Sequence, residues 1–142
     1  MFKIKAFLCL ILFFLMIGKT HASEHYKVIV NSDVGLESVT ANVLRAIFSM
    51  RMKTWQDGKL IRVYVLPDDH ELHQTFSKET LNVFPYQLRS TWDRLVFSGT
   101  GQAPTTVSSN EEMLQKIANT PGSIGYLETI YLNDDVKVLQ IK

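Results

Sequence analysis

Polar side chains that could hold a small anion follow the first alternating apolar segment of the chain. Asn31 and Ser32 come directly after Val30, and their amide and hydroxyl groups can donate hydrogen bonds to an oxyanion. Ser38 and Thr40 lie at the predicted start of a helix, where free backbone N–H groups and the helix dipole favour negative charge. An Asx turn at the helix entrance explains Asn31 and Ser32 equally well, so both interpretations stay open.

Two histidines raise the question of metal binding. His70 and His73 lie one helical turn apart, with Asp68 and Asp69 just before them, and this spacing can place both rings on one face of a helix. A metal site needs three or four converging ligands with a satisfied second layer of contacts, and no such frame is evident. We therefore predict that both histidines are solvated helix residues and that the protein uses no metal or other cofactor.

Recognisable catalytic motifs do not occur in the sequence. It contains no Gly-x-Ser-x-Gly elbow, no His-Glu-x-x-His pair and no phosphate loop. The one cysteine, Cys9, lies within the apolar run at the start of the chain, which argues against thiolate chemistry and disulfides. These observations predict a protein that binds something and is not an enzyme.

A second candidate for anion binding is a pair of arginines on a predicted helix that begins at Pro85. Arg89 and Arg94 are five positions apart, which separates them by about 140° around a helix, so we predict that both face solvent. The side chains predicted to face inward from this helix are Leu88, Trp92, Leu95 and Val96.

The first 22 residues have the pattern of a cleaved export signal. Lys3 and Lys5 supply positive charge, residues 6–18 form an almost unbroken apolar run, and Thr20 and Ala22 are small residues suited to cleavage. This run is shorter than the roughly 20 residues that a membrane-spanning helix needs. We predict a signal peptide over residues 1–22, one domain over residues 23–142 and a periplasmic location.

Charge is balanced, with 15 Lys and Arg against 14 Asp and Glu, and both signs are interspersed along the chain. Nucleic-acid binding depends on clustered cations that displace counterions. We therefore predict no nucleic-acid partner.

Apolar periodicity predicts alternating strands and helices that would position the candidate residues. Alternation at Tyr26–Val30 indicates a strand that ends at the Asn31–Ser32 loop. The later elements are a helix over about 39–50 with Ser38 as its N-cap, a strand over 59–66, helices over about 70–76, from Pro85 and from Ser109 to about 119, and strands over 124–127 and 136–141. This order predicts an α/β fold with a mixed sheet flanked by helices.

Three segments resemble the substrate-binding proteins of phosphate ABC transporters. They are residues 45–58 with Trp55, the Leu88–Gly101 segment, and Pro121–Tyr126, which is similar to the Pro-Gly-x-Ile-Gly-Tyr segment of that family. The resemblance extends from Tyr26 to about Leu139. Full-length members have two lobes and need about 250 residues or more, so the resemblance implies one lobe of a type II periplasmic binding protein.

The resemblance also implies a function. It predicts binding of phosphate or another small oxyanion for ABC-type transport or sensing, and it places Tyr126 beside the former cleft, as a ligand candidate with Asn31, Ser32, Ser38 and Thr40. The chain departs from the family at Leu66–His70. Asp68 and Asp69 stand there in place of the arginine and Ser-Gly-Thr segment that introduce the phosphate-binding helix.

This departure favours an alternative function. In the alternative, the lobe has no ligand and docks a membrane transporter, a porin or a sensor. A homodimer would rebuild a cleft with two walls and would favour the ligand-binding function instead.

Overall fold

A computed structural model of the chain describes residues 25–142. The predicted signal peptide over residues 1–22 lies outside the described residues. No helix in this part of the chain is long and apolar enough to cross a membrane.

Strands and helices alternate through the described chain. The strands are β1 Tyr26–Val30, β2 Ser38–Val39, β3 Arg62–Val65, β4 Thr105–Thr106, β5 Ser123–Glu128, β6 Lys137–Val138 and β7 Gln140–Ile141. The helices are α1 Ala41–Phe48, α2 Glu71–Glu79, α3 Pro85–Ser98, α4 Asn110–Asn119 and a 3-10 helix at Thr129–Tyr131.

Five of the strands form a mixed sheet in the order β4-β3-β5-β1-β6. Strand β1 runs antiparallel to β5, with Tyr26 opposite Glu128 and Val30 opposite Ile124, and antiparallel to β6. Strand β3 runs parallel to β5 and to β4, while β2 and β7 form a separate parallel pair. The predicted α/β class with a mixed sheet is confirmed.

Helices pack on both faces of this sheet, and two neighbouring residues of β5 show how. Gly125 faces α4 so closely that a Cβ atom added there would lie 2.5 Å from the Met113 sulfur. Successive residues of a strand point to opposite faces, and Tyr126 packs on the other side against Phe76 of α2, with ring centroids 4.1 Å apart. Phe48 of α1 joins the same aromatic cluster.

The start of the first helix differs from the prediction. Ser38 is not the N-cap, because it lies in β2 and pairs with Gln140 of β7. Thr40 is the N-cap, and its hydroxyl oxygen accepts a hydrogen bond from the Val43 N–H at 3.2 Å. The pairing of β2 with β7 keeps the chain extended, so the helix begins at Ala41 and not at about residue 39 as predicted.

Helix α3 begins at Pro85 as predicted, but its inward stripe is shorter than predicted. Leu88 and Trp92 are buried, and Leu95 is half-buried. Val96 is 51% exposed, so its predicted inward position is wrong. In the last turn of α3, the apolar side chains of Val96 and Phe97 are exposed and do not pack in the core.

Candidate functional site

The loop after β1 is held from within by the Asn31 side chain. Its amide nitrogen donates to the carbonyl oxygens of Ile117 at 2.8 Å and Ala118 at 3.1 Å. These carbonyls lie near the end of α4, where main-chain acceptors lack helical partners. The amide oxygen accepts from the Asp33 N–H at 3.1 Å, which makes the Asx turn. Asn31 is buried, so the structure places its amide inside the protein.

Asp33 fastens the same loop to two other segments. Its carboxylate accepts from the Lys59 ammonium at 2.9 Å and from the Gly122 N–H at 3.1 Å. The hydrogen bond from the Lys59 ammonium is the main cause that holds the pKa of the Asp33 carboxyl below its usual range, and the hydrogen bond from the Gly122 N–H lowers it further. Sequence reasoning did not single out Asp33 or Lys59, because their partners are remote along the chain.

Three other predicted ligand residues lie around this loop and the start of α1. Ser32 and Thr40 are exposed, and Ser38 is half-buried in β2. The first turn of α1 contains no acidic residue. Lys137, which the sequence did not mark, contacts the Val34 carbonyl oxygen and lies 3.2 Å from the Glu37 carboxylate.

The Tyr126 hydroxyl lies in the interior, at the junction between β3 and α2. It accepts a hydrogen bond from the Leu66 N–H at 2.9 Å and shares a second hydrogen bond with Nδ1 of His73. The side chain is fully buried, and burial raises the pKa of the phenol far above its usual value. Of the five predicted site residues, Tyr126 is thus fully buried, whereas Ser32 and Thr40 are exposed.

His73 is fully buried, so the prediction of a solvated residue is wrong for this position. Its ring lies among aromatic side chains, 5.9 Å from Tyr126 and 6.2 Å from Trp92 between centroids. Burial is the main cause that lowers the pKa of the imidazole. Its Nε2 atom has no hydrogen-bond partner and lies 4.0 Å from the Asp68 carboxylate. His70 is half-buried and caps α2, since its Nδ1 accepts from the Leu72 N–H.

An ion pair joins this junction to α3. Arg89 donates from Nε and Nη2 to the two oxygens of Asp68, at 2.8 and 3.0 Å, and its guanidinium lies 5.1 Å from the centre of the Trp92 ring. The Arg89 side chain is 39% exposed and Arg94 is exposed, in agreement with the prediction, but the sequence did not indicate that Arg89 pairs with Asp68. The Arg89 guanidinium holds the pKa of the Asp68 carboxyl below its usual range. Asp68 lies in a loop and Arg89 lies on α3, 21 positions later in the chain. No local sequence pattern indicates a contact between them.

Metal ligands do not converge at either place. Among residues 25–142, no group of three or more His, Cys, Asp or Glu side chains is arranged to hold an ion. The loop after β1 with the start of α1 is one cluster, and the junction between β3, α2 and Arg89 is the other. The two clusters offer hydroxyl groups, a helix amino end and cations, which are groups that bind anions.

Comparison with known proteins identifies a relative by sequence. Over 113 residues the chain is 30% identical to the phosphate-binding protein PstS of Bacillus subtilis. The match covers 75% of this chain but 32% of PstS, so the chain spans about a third of that relative's length. No protein-family model matches the chain.

Solved structures share the fold at lower identity. An ABC-type phosphate transport receptor from Vibrio cholerae superposes with a TM-score of 0.65 at 15% identity, over 82% of this chain and 46% of the receptor. A phosphate ABC transporter substrate-binding protein from Clostridium perfringens, solved with bound phosphate, gives 0.68 at 13% identity, over 82% and 44%. PstS from Borrelia burgdorferi gives 0.64 at 16% identity, over 83% and 47%. The chain is thus similar in sequence to a phosphate-binding protein, and residues 25–142 have the fold of somewhat less than half of the solved phosphate-receptor structures.

Proposed function

We propose that the protein is a solute-binding module that holds phosphate or another small oxyanion for ABC-type transport or sensing. The observation that carries this proposal is the 30% identity with a phosphate-binding protein over 113 residues. A structure of the same fold that contains phosphate adds support. A membrane transporter is the partner that this function requires.

Ser32 and Thr40 are the two predicted site residues that remain exposed to a ligand. The Asn31 amide and the Tyr126 hydroxyl make internal hydrogen bonds, and Ser38 is half-buried in β2. The start of α1, with no acidic side chain in its first turn, supplies a favourable dipole for an anion. We therefore place the oxyanion beside the Ser32 hydroxyl and the amino end of α1.

A location outside the cytoplasm belongs to the same proposal. Its support is the charge and apolar pattern of residues 1–22, which matches a cleaved secretory signal. Mass spectrometry of the protein recovered from a periplasmic extract tests this directly. A chain that begins at Ser23 is the expected result, and a chain that retains the first 22 residues contradicts it.

Thermal unfolding in the presence of anions tests the binding function. Phosphate at about 100 times its Kd should add about 2.7 kcal/mol of stability, seen as a concentration-dependent rise in Tm. Ser32→Ala should reduce the response, whereas Ser90→Ala, which removes another exposed hydroxyl on α3, should leave it unchanged. If phosphate, sulfate and related anions leave the Tm of the folded protein constant, oxyanion binding is excluded for those anions.

A second candidate is a lobe that binds no solute and docks a membrane transporter, a porin or a sensor. The observation in its favour is the exposure of two large apolar side chains, Phe97 at 86% and Ile130 at 83%, since such side chains often mark interfaces. Pull-down from a periplasmic and membrane extract tests this candidate. A transporter, porin or sensor that the unaltered protein retains and that Phe97→Ser or Ile130→Ser releases would support it, and retention that is the same in both variants would contradict docking through these side chains.

A further inference from the structure

A groove with a volume of about 280 Å³ opens beside the start of β3. Its walls come from the chain that follows α1, from the residues around Leu60 and from the loop after α3. The apolar side chains that line it are Met50, Met52, Leu60, Ile61 and Val63. This volume is close to the lower limit of small-molecule sites, which is about 300 Å³. The groove therefore suits a compact ligand with an apolar part.

The chain after α1 is fixed so that two methionines line this groove. The Ala46 carbonyl oxygen accepts from the Arg51 N–H at 2.9 Å and from the Met52 N–H at 3.0 Å. Met50 has a φ of +64°, which is the left-handed conformation that glycine adopts most easily at a helix end. A residue held in this strained conformation often has a functional role, and a methionine side chain adapts its shape to an apolar partner. We take Met50 and Met52 as the adaptable wall of the groove.

Two cations line the same groove, and no carboxylate balances them. The Lys53 and Arg62 side chains are exposed, and none of the described acidic residues lines the groove. Neither cation forms an ion pair with any of residues 25–142, whereas Lys59, Arg89 and Lys137 each pair with a carboxylate. The groove thus combines apolar walls with uncompensated positive charge, which attracts an anion.

We propose that this groove binds a small amphipathic carboxylate, such as a medium-chain fatty acid. The Arg62 guanidinium binds the two carboxylate oxygens as a pair, and the Lys53 ammonium adds a second positive charge. The alkyl chain lies against Met50 and Met52 and is removed from water, which supplies the apolar part of the affinity. An inorganic anion would leave the apolar walls uncovered. The groove shares no residue with the oxyanion position beside Ser32, so this ligand goes beyond the proposed function.

Methionine methyl groups labelled with ¹³C report on this groove by NMR. Met50, Met52 and Met113 are the methionines among residues 25–142, and Met113 is buried in the core as an internal reference. Octanoate should shift the signals of the first two in a saturable way, with a Kd in the millimolar range, and leave the Met113 signal unchanged. Met50→Leu and Met52→Leu assign those two signals.

Two related ligands separate the roles of charge and chain. Acetate has the carboxylate without the long chain, and octyltrimethylammonium has the chain with the opposite charge. Each should bind at least about tenfold more weakly than octanoate. Equal binding of octyltrimethylammonium, or shifts of all three methionine signals with octanoate, overturns the proposal.

Variants of the two cations test the proposed contacts. Lys53→Gln and Arg62→Gln should each weaken octanoate binding about threefold, and the double variant about tenfold. Arg94→Gln removes an exposed arginine elsewhere, on α3, and should bind octanoate as the unaltered protein does. Unchanged affinity in the folded double variant overturns the proposal. Phosphate should leave the Met50 and Met52 signals in place, so this groove and the oxyanion position can fail separately.

Discussion

At the scale of single residues, the Tyr126 hydroxyl joins two elements that are distant in the sequence. It binds the Leu66 N–H at the end of β3 and the His73 ring on α2. Both partners are buried. Water has no access to them, so any change at the hydroxyl must appear in the free energy of unfolding.

Replacement of this hydroxyl should therefore destabilise the protein. Tyr126→Phe leaves the Leu66 N–H and the His73 Nδ1 buried without a partner, which we expect to cost about 1–3 kcal/mol. Urea denaturation measures the change. Tyr64→Phe is the matched control, because the Tyr64 hydroxyl contacts Thr120 at 3.3 Å in a half-buried place, and we expect a smaller loss there. Equal losses in both variants would contradict the role assigned to the Tyr126 hydroxyl.

His73 should make stability depend on pH. Its pKa is lowered in the folded protein, chiefly by burial, while the unfolded chain has the usual pKa of about 6.5. The unfolded state therefore takes up protons first as pH falls. This contribution to stability is fully present above about pH 6.5 and is lost as pH falls from there through the lowered pKa of the folded state.

Denaturation at a series of pH values checks this expectation. His73→Gln should flatten the dependence of the unfolding free energy on pH just below pH 6.5. His25→Gln, which changes an exposed histidine, should keep the slope of the unaltered protein. If the slope is the same in all three proteins, a group other than His73 controls the loss of stability at acid pH.

The sequence could indicate some of these residues but not their partners. The apolar neighbours Leu72 and Phe76 already point to a buried face of α2, and His73 lies beside them; this signal could have indicated its burial. The partner of Arg89 could not be predicted, because Asp68 lies 21 positions away in a different element. Such pairs follow from how the helices pack, which local periodicity does not encode.

At the scale of elements, long periodic segments were predictable and short pairings were not. Strand β1 and the start of α3 were predicted at the residues where they occur. The two-residue strand β2 had no pattern of its own. Strand β7 lies within the strand predicted over 136–141, but its pairing with β2, about a hundred residues away, could not be predicted. The error at Ser38 came from this missing pairing.

Gly122 is the point where the turn before β5 meets the segment around Trp55. Its carbonyl oxygen accepts from the Trp55 indole N–H at 3.0 Å and from the Arg62 N–H at 3.2 Å. Its φ is +72°, and an added Cβ atom would overlap the Leu60 carbonyl oxygen. Two of the segments that resemble the phosphate-binding family therefore contact each other here.

Gly122→Ala should cost more than a change of backbone entropy alone. Strain at positive φ and the clash with a backbone atom together should lower the free energy of unfolding by about 2 kcal/mol or more. Gly35→Ala is the matched control, because a Cβ atom at Gly35 would meet nothing within 4 Å, and we expect a change within about 0.5 kcal/mol. Urea midpoints for the two variants make the comparison. Similar midpoints would mean that the backbone around Gly122 shifts to accommodate the added Cβ atom.

At the scale of the whole molecule, the α/β class followed from the order of elements, and the family resemblance followed from three short segments. The position of the candidate ligand site within the fold followed from neither. Three of its predicted residues, Asn31, Ser38 and Tyr126, owe their burial to contacts with α4, β7 and α2. Only the folded chain brings those elements together.

We expect residues 23–142 to unfold as one cooperative unit. Within residues 25–142, the buried apolar side chains make a single continuous cluster that includes Val30, Phe48, Phe76, Trp92 and Ile124. Every strand and helix that positions the two clusters contributes to it or pairs with a neighbour that does. Such a core should unfold in one two-state transition, because no part can lose its contacts without exposing the rest.

Calorimetry and circular dichroism of residues 23–142 decide this point. We expect coincident transitions by near- and far-ultraviolet signals and a calorimetric enthalpy equal to the van't Hoff enthalpy. The relatives are two to three times longer than this chain's match to them, so a partner surface could contribute stability that the isolated chain lacks. Loss of the near-ultraviolet signal before the far-ultraviolet signal would indicate that the packing depends on such a surface. A single transition would instead show that this half-sized fold supplies its own stability.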